Sequence, residues 1–221
     1  MRMNRFFRFV TFIMNPFRCL FCGTVCKTNA IACDCCLAKI KSAPRFCLAP
    51  SVSNRALTAC MGAFPYHDPM IRKGLLNYKF EGYQNAYPLF AKAMFDMNYI
   101  AAGEADVVTA VPMDKVRQGV RGYNQSELVA REYAKLLCKP YGELLVKTKR
   151  NQVQSTLQDN KMRSENVKDC YEAIDASLIK DKKVLIVDDV YTTGATMKEC
   201  ARILKKAGAK MVLGAVICYA E

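Results

Sequence analysis

The sequence predicts an α/β protein: a mainly parallel, doubly wound sheet preceded by a small cysteine-rich module. Three observations carry this. Short apolar runs alternate with helical patterns from residue 59 onward. One such run, Val184 to Val187, leads through Asp188 and Asp189 into the small-residue loop Thr192-Thr-Gly-Ala-Thr196 and then into a helix. Ahead of them, Cys19-Leu-Phe-Cys22 and Cys33-Asp-Cys-Cys36 repeat a CxxC spacing across a ten-residue gap.

A chain of 221 residues suits one ordinary domain plus a small module, divided here into residues 1–58 and 59–221. Hydrophobic content of 52% with 24% charged residues excludes an intrinsically disordered protein. The net charge of +13 is uneven, because residues 1–60 hold nine Lys and Arg against the single acid Asp34. That field favours polyanions, nucleic acid or acidic membrane.

The first element, Met1 to Met14, reads as an amphipathic helix whose Phe6, Phe9, Val10 and Ile13 pack on the body. Arg8 interrupts its apolar stretch and no small-residue cleavage site follows, so it is not a secretory signal. A bilayer span takes about 20 apolar residues, which this segment lacks. Basic and aromatic residues also serve helices lying on membrane surfaces, so peripheral membrane contact stays open.

Twelve cysteines without a signal peptide point to the reducing interior, a cytoplasmic address, and to metal ligation rather than disulfides. Paired CxxC turns let Cys19, Cys22, Cys33 and Cys36 converge as four thiolates on one Zn²⁺. Cys26 and Cys35 compete for places in that set. Cys138, Cys170, Cys200 and Cys218 stand in apolar surroundings and read as small core residues. Residues 41–58, with Pro44 and Pro50, read as a linker or an irregular part of the module.

In the main domain, Cys60 to Tyr66 reads as a strand. Pro69 to Phe80 follows as a helix with Ile71, Leu75 and Leu76 inward, and Gln84 to Ile100 as a helix with Leu89, Phe90, Ala93 and Met97 on one face. Asp106 to Val111 is an apolar strand, Gln125 to Cys138 a helix, and Leu144 to Lys147 a short strand. Lys147 to Asp169 is a long polar stretch, of the kind that is functional or disordered. Val184 to Val187 is a strand covered on both faces, followed by a helix that Gly208 stops, and Met211 to Tyr219 is the last strand.

The chemistry concentrates at the carboxyl ends of these strands, where open α/β sheets bind ligands. Backbone N–H groups at the start of the helix after Thr192, Thr193, Gly194, Ala195 and Thr196 suit a dianionic phosphate. Two carboxylates beside it, Asp188 and Asp189, would repel a bare phosphate, so they call for vicinal ribose hydroxyls or Mg²⁺. Ribose 5-phosphate has both features. Arg121-Gly-Tyr-Asn-Gln125, between a strand and a helix, adds a guanidinium able to clamp a phosphate and a cap in Asn124. His67 is the only histidine, which leaves no Ser-His or Cys-His nucleophile to assemble.

Val184 to Thr196 resembles the phosphoribosyl pyrophosphate motif of type I phosphoribosyltransferases. With Val111-Pro112, Arg121 to Gln125, Gln154-x-x-Leu157, Arg163-x-x-Asn166 and the cysteine module, nearly the whole chain resembles the ComF family of competence-associated, phosphoribosyltransferase-like proteins. The resemblance implies that Asp188 and Asp189 hold the ribose hydroxyls and Thr192 to Thr196 the 5-phosphate. It implies Arg121 and Arg163 on the leaving pyrophosphate, Pro112 in the pyrophosphate loop, and a mobile hood over Lys147 to Asp169 with Arg150 and Gln154 as further contacts. Lys79 matches a lysine-containing segment of the family pattern, although a solvated helix end also looks like this. Family members often carry a second cysteine pair after the first set; here that region shows only Cys47 and Cys60, so a second complete zinc site is not expected. Single-stranded DNA and other competence proteins are the partners so implied. The competing expectation is a scaffold that binds DNA or partners through the basic cysteine module without catalysis.

Overall fold

A computed structural model describes residues 17–26, 30–41, 46–48, 56–149 and 167–220. The N-terminal helix expected before Met14, the hood residues Arg150, Gln154 and Arg163, and the linker at 49–55 lie outside them. In chain order the elements are α1 (Asp34–Lys41), β1 (Phe46–Leu48), β2 (Ala59–Pro65), α2 (Pro69–Phe80), α3 (Tyr87–Gly103) and β3 (Val107–Ala110). They continue with α4 (Lys115–Arg121), α5 (Gln125–Leu136), β4 (Leu145–Lys147), β5 (Tyr171–Ala173), β6 (Lys183–Tyr191), α6 (Ala195–Lys206) and β7 (Met211–Tyr219).

Five strands form the main sheet in the order β1-β2-β7-β6-β3. β2, β7, β6 and β3 are mutually parallel, and β1 adds an antiparallel edge. Leu185 and Val187 turn to a core shared with α2, α3 and α5; Val184 and Ile186 turn to a second core built with α6, β4 and β5. Helices on both faces make the sheet doubly wound, which is why its central strands read as continuous apolar runs. The cysteine turn belongs to the first core, since Cys19, Leu20, Phe21 and Cys36 are buried with Ile71, Leu75 and Phe90.

Several boundaries differ from the sequence expectation for physical reasons. Pro88 sits in the first turn of α3, where its missing N–H costs nothing, so the α-helix begins at Tyr87 after a short 3₁₀ turn, Gln84–Ala86. β1 lies in the stretch taken as linker; three residues on a sheet edge are too few to show a period. β4 pairs only with β5, forming a separate ribbon. Leu76 is exposed while Ile71 and Leu75 are buried. Cys138, expected in the core, is exposed: α5 ends at Leu136 and Cys138 takes a left-handed φ of 54°, turning outward. Cys170, Cys200 and Cys218 are buried as expected.

One difference places the site. β6 runs on to Tyr191, so Asp188 and Asp189 lie within the strand rather than after it. Its pairing with β7 continues through Asp188↔Val216 to Tyr191↔Tyr219, whereas its pairing with β3 stops at Ala110↔Val187. Beyond Val187 one side of β6 therefore loses its strand neighbour, and Asp188 stands there half-buried.

Candidate functional site

Beside that end of β6 lies the segment after β3, which leads into α5. Asp114 caps α4 by accepting from the Arg117 N–H, and Gly122 ends that helix with φ 83°, a left-handed turn suited to glycine. Asn124 then caps α5: its Oδ1 accepts from the Ser126 N–H at 3.1 Å. Its Nδ2 donates to Val111 O at 3.1 Å, tying the end of β3 to the start of the helix. The cap expected of Asn124 is therefore present. No peptide bond among the described residues is cis, the one into Pro112 included.

This cap aims Ser126 at the carboxylates. The Ser126 hydroxyl donates to Asp188 Oδ1 at 2.9 Å, and the Asp189 N–H donates to the same oxygen at 2.9 Å. Lys79, at the end of α2, pairs with Asp189 through Nζ–Oδ2 at 2.9 Å, each side chain 18% exposed. Burial pushes the Asp188 carboxyl up to about 7, and the neighbouring charge of Asp189 adds to this; the Asp189 N–H, Ser126 and Lys79 oppose it. Two adjacent carboxylates, one held near neutrality, are hard-oxygen donors whose repulsion a divalent cation or paired hydroxyls would relieve. The residues present fit Mg²⁺ in that sense.

The loop after β6 follows directly. Gly194 holds φ 73°, and a Cβ there would lie 2.2 Å from the Tyr191 ring, so the loop closes over Tyr191 only with glycine. Gly194 occupies the cap position of α6 with no side-chain hydrogen bond. The Thr193 hydroxyl accepts from the Ala195 N–H at 3.3 Å, and Lys198 Nζ donates to Thr193 O at 3.1 Å. Thr192 is exposed, whereas Thr193 and Thr196 are half-buried.

Beside Lys79 lies a cleft of about 460 Å³ lined by Lys79, Phe80, Arg117, Val120, Arg121 and Tyr123 among others. The Arg121 guanidinium stacks 4.7 Å above the Phe80 ring and is half-buried; burial lowers its pKa while Asp189 opposes the shift. Ser126, Phe80 and Tyr123 were not singled out from sequence. A serine after a cap-forming Asn-Gln pair carries no signal of its own. Lys147, also unforeseen, is half-buried with its pKa lowered first by burial and then by Arg117, and its Nζ lies 5.5 Å from the Tyr171 ring centre.

On the other side of the first core, the sulfurs of Cys19, Cys22, Cys33 and Cys36 all lie within 4.8 Å of one another. This is the set expected from the CxxC spacing, and it can hold a metal ion. The Cys33 N–H donates to Cys19 Sγ at 3.4 Å, and Cys22 Sγ lies 3.7 Å from Cys33 Sγ. The Thr24 hydroxyl is the main cause lowering the Cys22 thiol to about 6. Cys26 is buried but turns its thiol to Thr24 O at 3.6 Å, and Cys35 is exposed; neither joins the set. No helix among the described residues is long and apolar enough to cross a membrane.

Comparison with known proteins agrees with the motifs. Residues 124–221 match the Phosphoribosyl transferase domain family. The chain is similar to Competence protein F of Haemophilus influenzae, 30% identical over 108 residues, covering 48% of this chain and 47% of that one. It is similar to the DNA utilization protein YhgH of Escherichia coli K12, 31% identical over 114 residues, covering 51% and 49%. Competence protein ComFC of Bacillus subtilis is 25% identical over 193 residues, covering 86% of this chain and 72% of that protein. The match spans about half the length of the first two relatives.

Proposed function

We propose that this chain, with a phosphoribosyl transferase domain and competence proteins as relatives, binds phosphoribosyl pyrophosphate or a closely related sugar phosphate with Mg²⁺ in support of DNA uptake. The observation that carries this is the Asp188–Asp189 pair on the extended end of β6, braced by Ser126 and Lys79 and followed at once by the Gly194 turn into α6. In this reading the carboxylates accept from the ribose hydroxyls, and the N–H groups of Thr192 to Thr196 receive the 5-phosphate. The pyrophosphate is assigned to Arg121 and to Arg163, the latter outside the described residues. Lys79 offsets the charge of Asp189 and so favours ionisation of Asp188 beside it.

Mg²⁺, when bound, would offset charge on the pyrophosphate. The protein's own part is electrostatic: fixed carboxylates complement positive charge developing at the anomeric carbon, and fixed cations complement charge on the departing group. The cleft under Arg121 and Phe80 is the natural entrance for an acceptor. Zn²⁺ is the ion assigned to the four thiols, as the donor set suits it.

A second reading, a DNA- or partner-binding scaffold, draws on the nine basic residues against one acid in residues 1–60 and on the relatives' names. Single-stranded DNA held this way would dissociate steeply with added salt.

Calorimetry of the zinc-loaded protein with Mg²⁺ and phosphoribosyl pyrophosphate separates the two. Replacing Asp188→Asn together with Asp189→Asn is expected to weaken binding about 100-fold or more, since each carboxylate makes charge-assisted bonds at about 1.5–3 kcal/mol apiece. Zinc content should not change. Absence of binding by the unaltered protein would transfer the assignment to the scaffold.

A further inference from the structure

The cysteine turn and the carboxylate pair sit on one continuous set of contacts. Leu20 and Phe21, between the first two cysteines, are 0% and 1% exposed. Leu20 O accepts from Asn77 Nδ2 on α2 at 2.7 Å. The Phe21 ring presses so closely on Gly74 of α2 that a Cβ there would fall 2.3 Å from it. Both contacts lie within two turns of Lys79 on the same helix.

From α2 the path reaches the site twice over. Lys79 itself pairs with Asp189 at 2.9 Å. In parallel, Phe21 meets Phe90 edge-on at 6.4 Å, Phe90 meets Tyr78 at 5.3 Å, and Tyr78 meets Tyr123 at 6.1 Å. The Tyr78 hydroxyl donates to Gln125 O at 2.9 Å, Gln125 Nε2 donates to Lys79 O at 3.4 Å, and the Tyr123 hydroxyl donates to Tyr78 O. Gln125 is fully buried and precedes Ser126, the serine that holds Asp188. Close-packed groups of this kind transmit displacement instead of absorbing it.

We propose that the cysteine turn is a positioning device for the carboxylate site: an ion on the four thiols fixes Leu20 and Phe21, these fix α2, and α2 sets Lys79 against Asp189. Asn77 and Phe21 are then positioning residues that touch no ligand. Sugar-phosphate binding and metal binding become thermodynamically coupled, and each must strengthen the other by the same factor. The coupling rests on the ligand reading of Asp188 and Asp189 given above; the effect of the ion on α2 does not.

Two measurements on the full chain test it. Hydrogen exchange is compared before and after zinc is withdrawn by a chelator. Faster exchange across Arg72 to Phe80, with α6 still protected, is expected; unchanged protection of α2 overturns the proposal whatever the ligand is. Zinc affinity is then measured by competition with a chromogenic chelator, at fixed Mg²⁺, with and without phosphoribosyl pyrophosphate. Coupling of about fivefold or more is expected. It should vanish in the double Asn variant and largely vanish in Asn77→Ala, which keeps zinc and melts cooperatively. Donor that binds the native chain yet leaves zinc affinity unmoved overturns the coupling alone; a zinc-loaded chain that binds no donor overturns the coupling and the ligand reading together.

Discussion

The carboxylate pair and the thiol cluster both gather like-charged donors at close range, and they differ in what balances them. At Asp188 and Asp189 the fold supplies the compensation: a lysine at 2.9 Å, a serine hydroxyl at 2.9 Å and a backbone N–H at 2.9 Å. Around Cys19, Cys22, Cys33 and Cys36 the thiols respond to burial, to backbone N–H groups, to Thr24 and to one another, which raises Cys36 and Cys33 while lowering Cys22 and Cys19, with no cation beside them among the described contacts. The first site is balanced by the protein's own groups. The second can hold a metal ion, which would take the charge of its thiolates, as in zinc modules that fold on metal binding.

The contrast breaks most visibly at the cysteines. Cys22→Ser is expected to abolish stoichiometric metal, read by elemental analysis, and to lower the melting temperature more than any substitution around Asp188. Structural zinc in small modules is bound with about 10–16 kcal/mol, far more than one hydrogen bond supplies. A variant that melts like the parent would mean that the cysteine turn, like the carboxylate pair, is held by the fold alone.

A smaller effect belongs to Gly194→Ala. Its φ of 73° and the 2.2 Å approach of Tyr191 predict a loss of about 1–3 kcal/mol, or several degrees of melting temperature, with metal content intact. Calorimetric melting with metal analysis on one sample checks both halves.

The smallest effect sharpens the comparison through protons. Asp188 is raised in the folded state relative to an unfolded carboxyl, so the folded chain holds the extra proton between about pH 4 and 7. Stability due to this group therefore falls as pH rises through that window and levels off above about 7. Binding of the proposed sugar phosphate, which in that reading needs the ionised carboxylate as acceptor, is expected to run the opposite way and strengthen as pH rises through about 7. Ser126→Ala removes a bond that favours the ionised form, so the midpoint of the binding profile should move upward by less than about one pH unit. A titration of affinity between pH 5.5 and 8.5 reads it; a downward shift would contradict the role given to Ser126.

Much of this was legible in the chain. The run Val184 to Val187 had to be a buried strand, Gly194 had to relax a tight turn, and the CxxC spacing selected four cysteines of twelve. These features are local: their meaning depends on a few neighbours and on backbone chemistry that any fold must obey. Cys26 and Cys35 were undecided because spacing alone cannot say which way a thiol turns. Ser126 was silent because its partner stands 62 residues away.

The sequence by itself determined the parallel sheet, the strand–loop–helix after Asp188, and which four cysteines gather in the cysteine turn, because periodicity, glycine geometry and CxxC spacing act over short stretches. Only the tertiary structure decided that β6 outruns β3 at Asp188, that Lys79 meets Asp189, and that Phe21 seats on Gly74. Those outcomes depend on which segments pack side by side, and pairing across the core is settled by the shapes and charges of residues far apart in the chain.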